Sequence, residues 1–198
     1  MVQTGRPPNS PGSGRALASW LAEPHWRPAT RCQRLEPPAL KPWLLDQGSL
    51  TARLLHASAG DLRVRLLSQG FARPRRSECL ALEMPRGRYA LVREVILLGQ
   101  GQNWVFARSV LPLASLTGRL RQLRRLRERP LGGFLFAQPD LQRGLMELSE
   151  IGPEHHYLPP GLRVRYRLWG RRSVFRLEAK PLLVSETFLP DFVRGLSP

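Results

Sequence analysis

The chain has 198 residues, 42% of them hydrophobic, enough for one ordinary domain with a real core. Its 31 Lys+Arg against 15 Asp+Glu give a formal net charge of +16, which points to an anionic partner such as nucleic acid, a membrane surface or an acidic metabolite. The two cysteines, Cys32 and Cys79, have neither zinc-ligand spacing nor the numbers for a disulfide framework, and no apolar run approaches the ~18 residues of a membrane span.

Residues 1–35 read as a disordered tail and lead-in, because Pro7, Pro8, Pro11, Pro24 and Pro28 discourage regular structure. The domain proper is placed at 36–198. "PALKPWLLDQGSLTARLLHASAGD" predicts two short helices, with Ser49 capping the second and Gly60 ending it. "DLRVRLLSQGF" alternates Leu62, Val64 and Leu66 with Arg63 and Arg65, the pattern of a half-buried strand. "RSECLALEMPRG" reads as a loop. "RYALVREVILL" is the strongest strand, "GQGQN" turns it, and "WVFARSVLPL" returns as the other half of a hairpin.

Leu116, Leu120, Leu123 and Leu126 then recur at helical spacing amid arginines, predicting an amphipathic helix with a basic outer face. Pro130 ends it. "DLQRGLMELSEIG" turns to strand in its second half, "PEHHYLPPG" is a loop, and "LRVRYRLWGRRSVFRLEAK" carries two alternating segments around Trp169 and Gly170. The last strand is "KPLLVSETFLP", bracketed by prolines. The expected class is α+β: a single domain with an antiparallel sheet of about six strands and several helices.

Most catalytic motifs are missing. "GQGQNW" lacks the lysine and the following helix of a phosphate loop, and there is no G-x-S-x-G elbow. Glu154, His155 and His156 are consecutive, so they cannot converge on one metal, and no metal site is expected. The basic stretch from Arg119 to Arg129 could follow a nucleic-acid backbone, but no base-reading module accompanies it, so it reads as a solvated face and no nucleic-acid partner is expected.

Charges inside apolar strands are the remaining signal. In the last strand Leu182, Val184, Glu186 and Phe188 share a face. A carboxylate there must find a partner, change its pKa or bind something. Arg93 shares its face with Tyr89, Leu91, Val95 and Leu97, while Glu94 lies on the other with Ala90, Val92, Ile96 and Leu98. Pattern alone leaves two alternatives: an Arg93–Glu186 ion pair, or a pocket where Arg93 clamps a ligand carboxylate and Glu186 meets a hydroxyl.

The blocks "LVREVILLGQGQNWVFARSVLPLASLTG", "PLGGFLF" and "WGRRSVFRLEAKPLLVSETFLP" together resemble the chorismate lyase family, in order, from about Leu40 to Pro190. The resemblance implies conversion of chorismate to 4-hydroxybenzoate and pyruvate, the entry to ubiquinone biosynthesis, without cofactor or metal. It implies a six-stranded antiparallel sheet backed by helices, with the ligand buried under flaps. The family's carboxylate-binding arginine falls on Arg93 and its hydroxyl-binding glutamate on Glu186, the two residues expected to be catalytic. The leucine of its "PLG" turn, a main-chain contact, falls on Leu131. A further contact, often methionine, falls near Leu50. The tail is longer than the family's, and "PEHHYLPPGLRVRYR" looks like an insertion. The expected protein is a cytoplasmic monomer. The alternative is a non-catalytic module that senses small aromatic acids, since ligand-sensing domains of some transcription regulators resemble this fold.

Overall fold

The computed structural model describes residues 23–32 and 34–196. Its frame is one antiparallel sheet of eight strands: β1 (Arg27–Pro28), β2 (Leu62–Ala72), β3 (Ala90–Gly99), β4 (Gln102–Pro112), β5 (Gln142–Arg143), β6 (Glu147–Ile151), β7 (Leu168–Leu177) and β8 (Lys180–Phe188). The order is β1-β6-β7-β8-β4-β3-β2, with β5 paired to β7 off this path. β1 and β5 have two residues each; the other six have five or more, which is the expected sheet.

Two tight hairpins build its centre. β3 and β4 are joined by Gln100 and Gly101, both at positive φ (52° and 75°), and β7 and β8 by Glu178 and Ala179 (52° and 59°). Two positive φ values give the turn whose twist matches that of the paired strands. Gly99 is required at the first hairpin for a second reason. A Cβ there would lie 2.2 Å from the Trp104 ring, which packs flat on the backbone.

The helices are short: α1 (Lys41–Leu44), α2 (Leu50–Ala57), α3 (Arg76–Ala81), α4 (Leu131–Phe136) and α5 (Pro190–Gly195). The first two fall where the sequence places them, and Ser49 Oγ accepts from Ala52 N at 3.3 Å as the cap. α3 replaces an expected loop. Its first turn is held partly from outside the local sequence: the Glu23 carboxylate accepts from Arg76 N and Ser77 N, both at 2.9 Å, while locally Glu78 accepts from Arg75 N at 2.8 Å.

The basic segment is not an α-helix but a 3-10 helix over Gly118–Arg125. Leu120, Leu123 and Leu126 are buried, and their spacing of three matches three residues per turn. The two alternating segments expected before Lys180 reduce to β7 alone, with a 3-10 turn at Pro160–Leu162 ahead of it.

The domain also starts earlier than residue 36. Arg27 pairs with Leu148 and Pro28 with Glu147, so edge-strand pairing and the Glu23 cap hold the lead-in to the sheet. The expectation for residues 1–22 lies outside the described residues.

Both faces of the sheet are covered. On one, two apolar clusters lie at opposite ends. Val95, Leu97, Val105 and Phe188 pack with α1, α2 and α5 at one end. Leu91, Leu111, Phe175 and Leu182 pack with Leu120, Leu123, Leu131 and Leu135 at the other. A polar band runs between them across the strands, formed by Arg93, Ser109, Ser173, Arg171 and Glu186. Among the described residues no helix is long and apolar enough to cross a membrane.

Candidate active site

Cross-strand pairing explains why the band is a unit. Arg93 faces Ser109, Ser109 faces Val184, and Val184 faces Ser173; one step along, Glu186 faces Arg171. All of these side chains point to the face that α2 and α4 cover. Between those helices and the sheet lies a narrow cleft with about 30 Å³ of room open to a water molecule. Its lining includes Leu50, Leu131, Arg143, Arg171, Val184 and Glu186.

Three of the four residues singled out from sequence thus line one cleft. Leu50 and Leu131 do so as the first residues of α2 and α4. The first backbone N–H groups of a helix have no intrahelical partner, so both helices bring positive partial charge to the cleft. Gly132 lets them meet, because a Cβ on it would sit 2.6 Å from Thr51 Oγ1.

Arg93 is placed differently. It is 3% exposed, and its guanidinium donates to Arg127 O (Nε 3.1 Å, Nη2 2.7 Å) and Arg129 O (Nη2 3.0 Å). These carbonyls belong to the segment that leads into Leu131. Arg93 therefore touches the cleft's wall from behind, about 10 Å across the sheet from Val184, two strand spacings away. Burial with no carboxylate partner pushes its pKa down to about 10.

The ion pair Arg93–Glu186 is not formed. Glu186 pairs instead with Arg171, whose Nε donates to Glu186 Oε2 at 2.7 Å. Arg171 is 1% exposed and its Nη1 also donates to Trp43 O (2.7 Å) and Asp46 O (2.9 Å). Carbonyls at the end of α1 and just beyond it thereby fix the side chain that orients Glu186.

Arg143 is the residue that sequence reasoning passed over. It sits on β5, too short to show a pattern. Nε donates to Ser173 Oγ at 3.1 Å, and Nη1 to Asp46 O (3.3 Å) and Gln47 O (2.8 Å). Burial, and then the adjacent Arg171 charge, push its pKa down to about 10. The only signal in sequence was an arginine two residues ahead of an apolar run in "LQRGLMELSEI".

The opposite face makes the contrast. There Arg108 binds Glu78 through Nε (2.6 Å) and Nη2 (3.0 Å) and Glu94 through Nη1 (2.6 Å), while Arg172 binds Glu147 at 2.7 Å. Every charge on that face named here has an opposite partner. The cleft face of the sheet carries Arg93, Arg143 and Arg171 against one strand carboxylate, Glu186, with the Asp46 carboxylate acting on Arg143 and Arg171 from the loop after α1. That excess of positive charge, largely withdrawn from water and backed by two helix starts, suits an anionic ligand. Among the described residues no cluster of three His, Cys, Asp or Glu is placed to hold a metal ion. His155 accepts from Gly152 N at 2.9 Å through Nδ1, inside a local turn.

A family model described as chorismate lyase matches residues 20–194. A Pseudomonas fluorescens protein named "Probable chorismate pyruvate-lyase 2" is 43% identical over 167 residues, covering 84% of this chain and 90% of that one. A Methylococcus capsulatus protein named "Probable chorismate pyruvate-lyase" is 42% identical over 154 residues, with coverage of 76% and 94%. Among solved structures, the effector domain of PhnF from Mycobacterium smegmatis superposes with a TM-score of 0.51 at 15% identity, covering 74% of this chain and 91% of that chain. At that identity the likeness is one of fold.

Proposed function

The chain belongs to the chorismate lyase family, and we propose that it converts chorismate to 4-hydroxybenzoate and pyruvate in the cleft between α2, α4 and the sheet, as the entry to ubiquinone biosynthesis. The observation that carries the reading is the charge pattern of the cleft face: the buried Arg93 and Arg171, the half-buried Arg143, and one glutamate, Glu186, on one sheet face. Chorismate is a dianion with a ring hydroxyl opposite its ring carboxylate. Arg93 would take the ring carboxylate in the bidentate manner that a planar guanidinium favours. Its present partners are two main-chain carbonyls, which are neutral, so a carboxylate can compete for it. Glu186, oriented by Arg171, would accept from the hydroxyl. The starts of α4 at Leu131 and of α2 at Leu50 would offer main-chain contacts. No metal or cofactor enters this scheme.

The reaction breaks the ring carbon–oxygen bond to the enolpyruvyl group, and the electron pair leaves with that oxygen. The ring carbon bearing the hydroxyl loses its proton, and aromatisation follows. The departing enolate takes up a proton to become pyruvate. The protein's share is to hold the ring in one orientation and stabilise the charge that moves to the leaving oxygen.

Purified protein incubated with chorismate tests the reading: 4-hydroxybenzoate and pyruvate should appear in equal amounts. A second reading follows from the fold shared with the PhnF effector domain, a non-catalytic module that binds small aromatic acids. Tight 4-hydroxybenzoate binding with chorismate left intact would favour it.

Glu186→Gln separates charge from shape. The amide keeps one acceptor but loses the charge that Arg171 neutralises. We expect kcat/KM for chorismate and the affinity for 4-hydroxybenzoate to fall together, each by about tenfold to a hundredfold, because the hydroxyl is present in both and a hydrogen bond to a charged group is worth about 1.5–3 kcal/mol. Unchanged kcat/KM in both Glu186→Gln and Glu186→Ala would remove Glu186 from the reaction.

A further inference from the structure

Of the three arginines on the cleft face, Arg171 is neutralised by Glu186, and Arg93 lies at the far side of the band. Arg143 is left. It lines the cleft and makes no ion pair among the described residues. Its guanidinium and that of Arg171 share one acceptor, Asp46 O, at 3.3 and 2.9 Å. Arg143 therefore sits beside the Arg171–Glu186 pair, at the Glu186 end of the cleft. Its three polar contacts go to Ser173 and two main-chain carbonyls, so the nearby Glu186 and Asp46 carboxylates act on its charge only from beyond hydrogen-bond distance.

Chorismate's second carboxylate belongs on that side. The enolpyruvyl ether is attached to the ring carbon next to the one that bears the hydroxyl. A ring whose hydroxyl meets Glu186 and whose own carboxylate points to Arg93 must project its enolpyruvyl group near Glu186. We propose, on the strength of the lyase reading, that Arg143 receives the carboxylate of the enolpyruvyl group and is the residue that distinguishes substrate from aromatic product.

Such a contact has a mechanistic consequence. Contacts to the ring carboxylate and hydroxyl are shared by substrate and product, so they do not favour turnover. A contact to the leaving group is lost on the aromatic product and is strongest as negative charge builds on the departing enolate. Arg143 is placed to supply it, from a half-buried position where its charge is less screened than in water. The Phe175 ring, 5.2 Å below the guanidinium, helps keep it in plane.

The test is a split between two measurements on one variant. In Arg143→Gln, kcat/KM for chorismate should fall about a hundredfold or more, the scale for losing a buried charged partner, while the 4-hydroxybenzoate Kd stays within about threefold of wild type. Arg143→Lys keeps donors for Ser173 and the carbonyls and serves if the glutamine variant does not fold; the same selective loss, smaller in size, is expected. A parallel fall in chorismate turnover and product affinity would overturn the assignment and leave Arg143 as a support for residues 46–47. Unchanged turnover would overturn it too. Wild-type protein that leaves chorismate untouched would instead overturn the lyase reading, and this inference with it.

Discussion

Arg93→Ala is expected to lower kcat/KM for chorismate by about a thousandfold and to weaken 4-hydroxybenzoate by a similar factor. Losing a buried hydrogen-bonded charge pair costs about 2–5 kcal/mol, and each 1.4 kcal/mol is a factor of ten. The two losses should run in parallel because the ring carboxylate is present in substrate and product alike. That parallel loss is the opposite of the split expected for Arg143. Arg93 has a structural task as well, since it binds the carbonyls of Arg127 and Arg129 ahead of α4. Arg93→Lys separates the tasks. A lysine can donate to those carbonyls but offers a carboxylate only a point charge. It should keep the thermal transition near wild type and leave kcat/KM low. Near-normal kcat/KM in the lysine variant would show that no bidentate clamp operates.

The largest stability loss is expected on the other face, from Arg108→Ala. Arg108 is 8% exposed and Glu78 1%, and the two are joined by a bidentate pair with Glu94 on the third nitrogen. Burial alone would raise the Glu78 pKa, but the guanidinium holds it below the ordinary carboxylate range. Without Arg108 a carboxylate is stranded under α3. Removing one member of such a pair costs about 3–5 kcal/mol, or on the order of 10 °C in Tm for a chain this long.

The pH dependence identifies the cause. In the wild type the depressed Glu78 pKa contributes stability above its unfolded value, which is lost as pH falls through the folded value. In the variant burial dominates, the pKa rises, and the sign reverses, so the defect should shrink between pH 7 and pH 5 as Glu78 takes up a proton. A defect equal at both pH values would point to lost packing of the Arg108 stem.

The sheet was legible because strand-forming residues and turn residues report on it directly. "RYALVREVILL" and "KPLLVSETFLP" are short, largely apolar and β-branched runs bounded by Gly or Pro, and they became β3 and β8. α3 was not legible, because its first turn is capped by Glu23, more than fifty residues away in sequence. The basic segment misled for a different reason. A leucine spacing of three to four fits both helix types, and the choice of 3-10 accompanies Gly118 at positive φ at its start.

At the site, the strand pattern marked Arg93 and Glu186 but could not say which of Arg93 and Glu94 faced a ligand. Glu94 faces Arg108, a pairing set by β3–β4 register and by α3. Arg143 left almost no trace, since a two-residue strand has no period and its partners at residues 46, 47 and 173 are distant in sequence.

The most direct measurement of the account is a crystal structure of the protein with 4-hydroxybenzoate. The ligand should lie between α2, α4 and the sheet, with its hydroxyl within hydrogen-bond distance of Glu186 and its carboxylate on Arg93, drawn away from the carbonyls of Arg127 and Arg129. Arg143 should make no contact with it. A product molecule seated elsewhere, such as the arginine-lined cleft by His25 and Trp169, or one in the same cleft with its carboxylate on Arg143, would contradict the account.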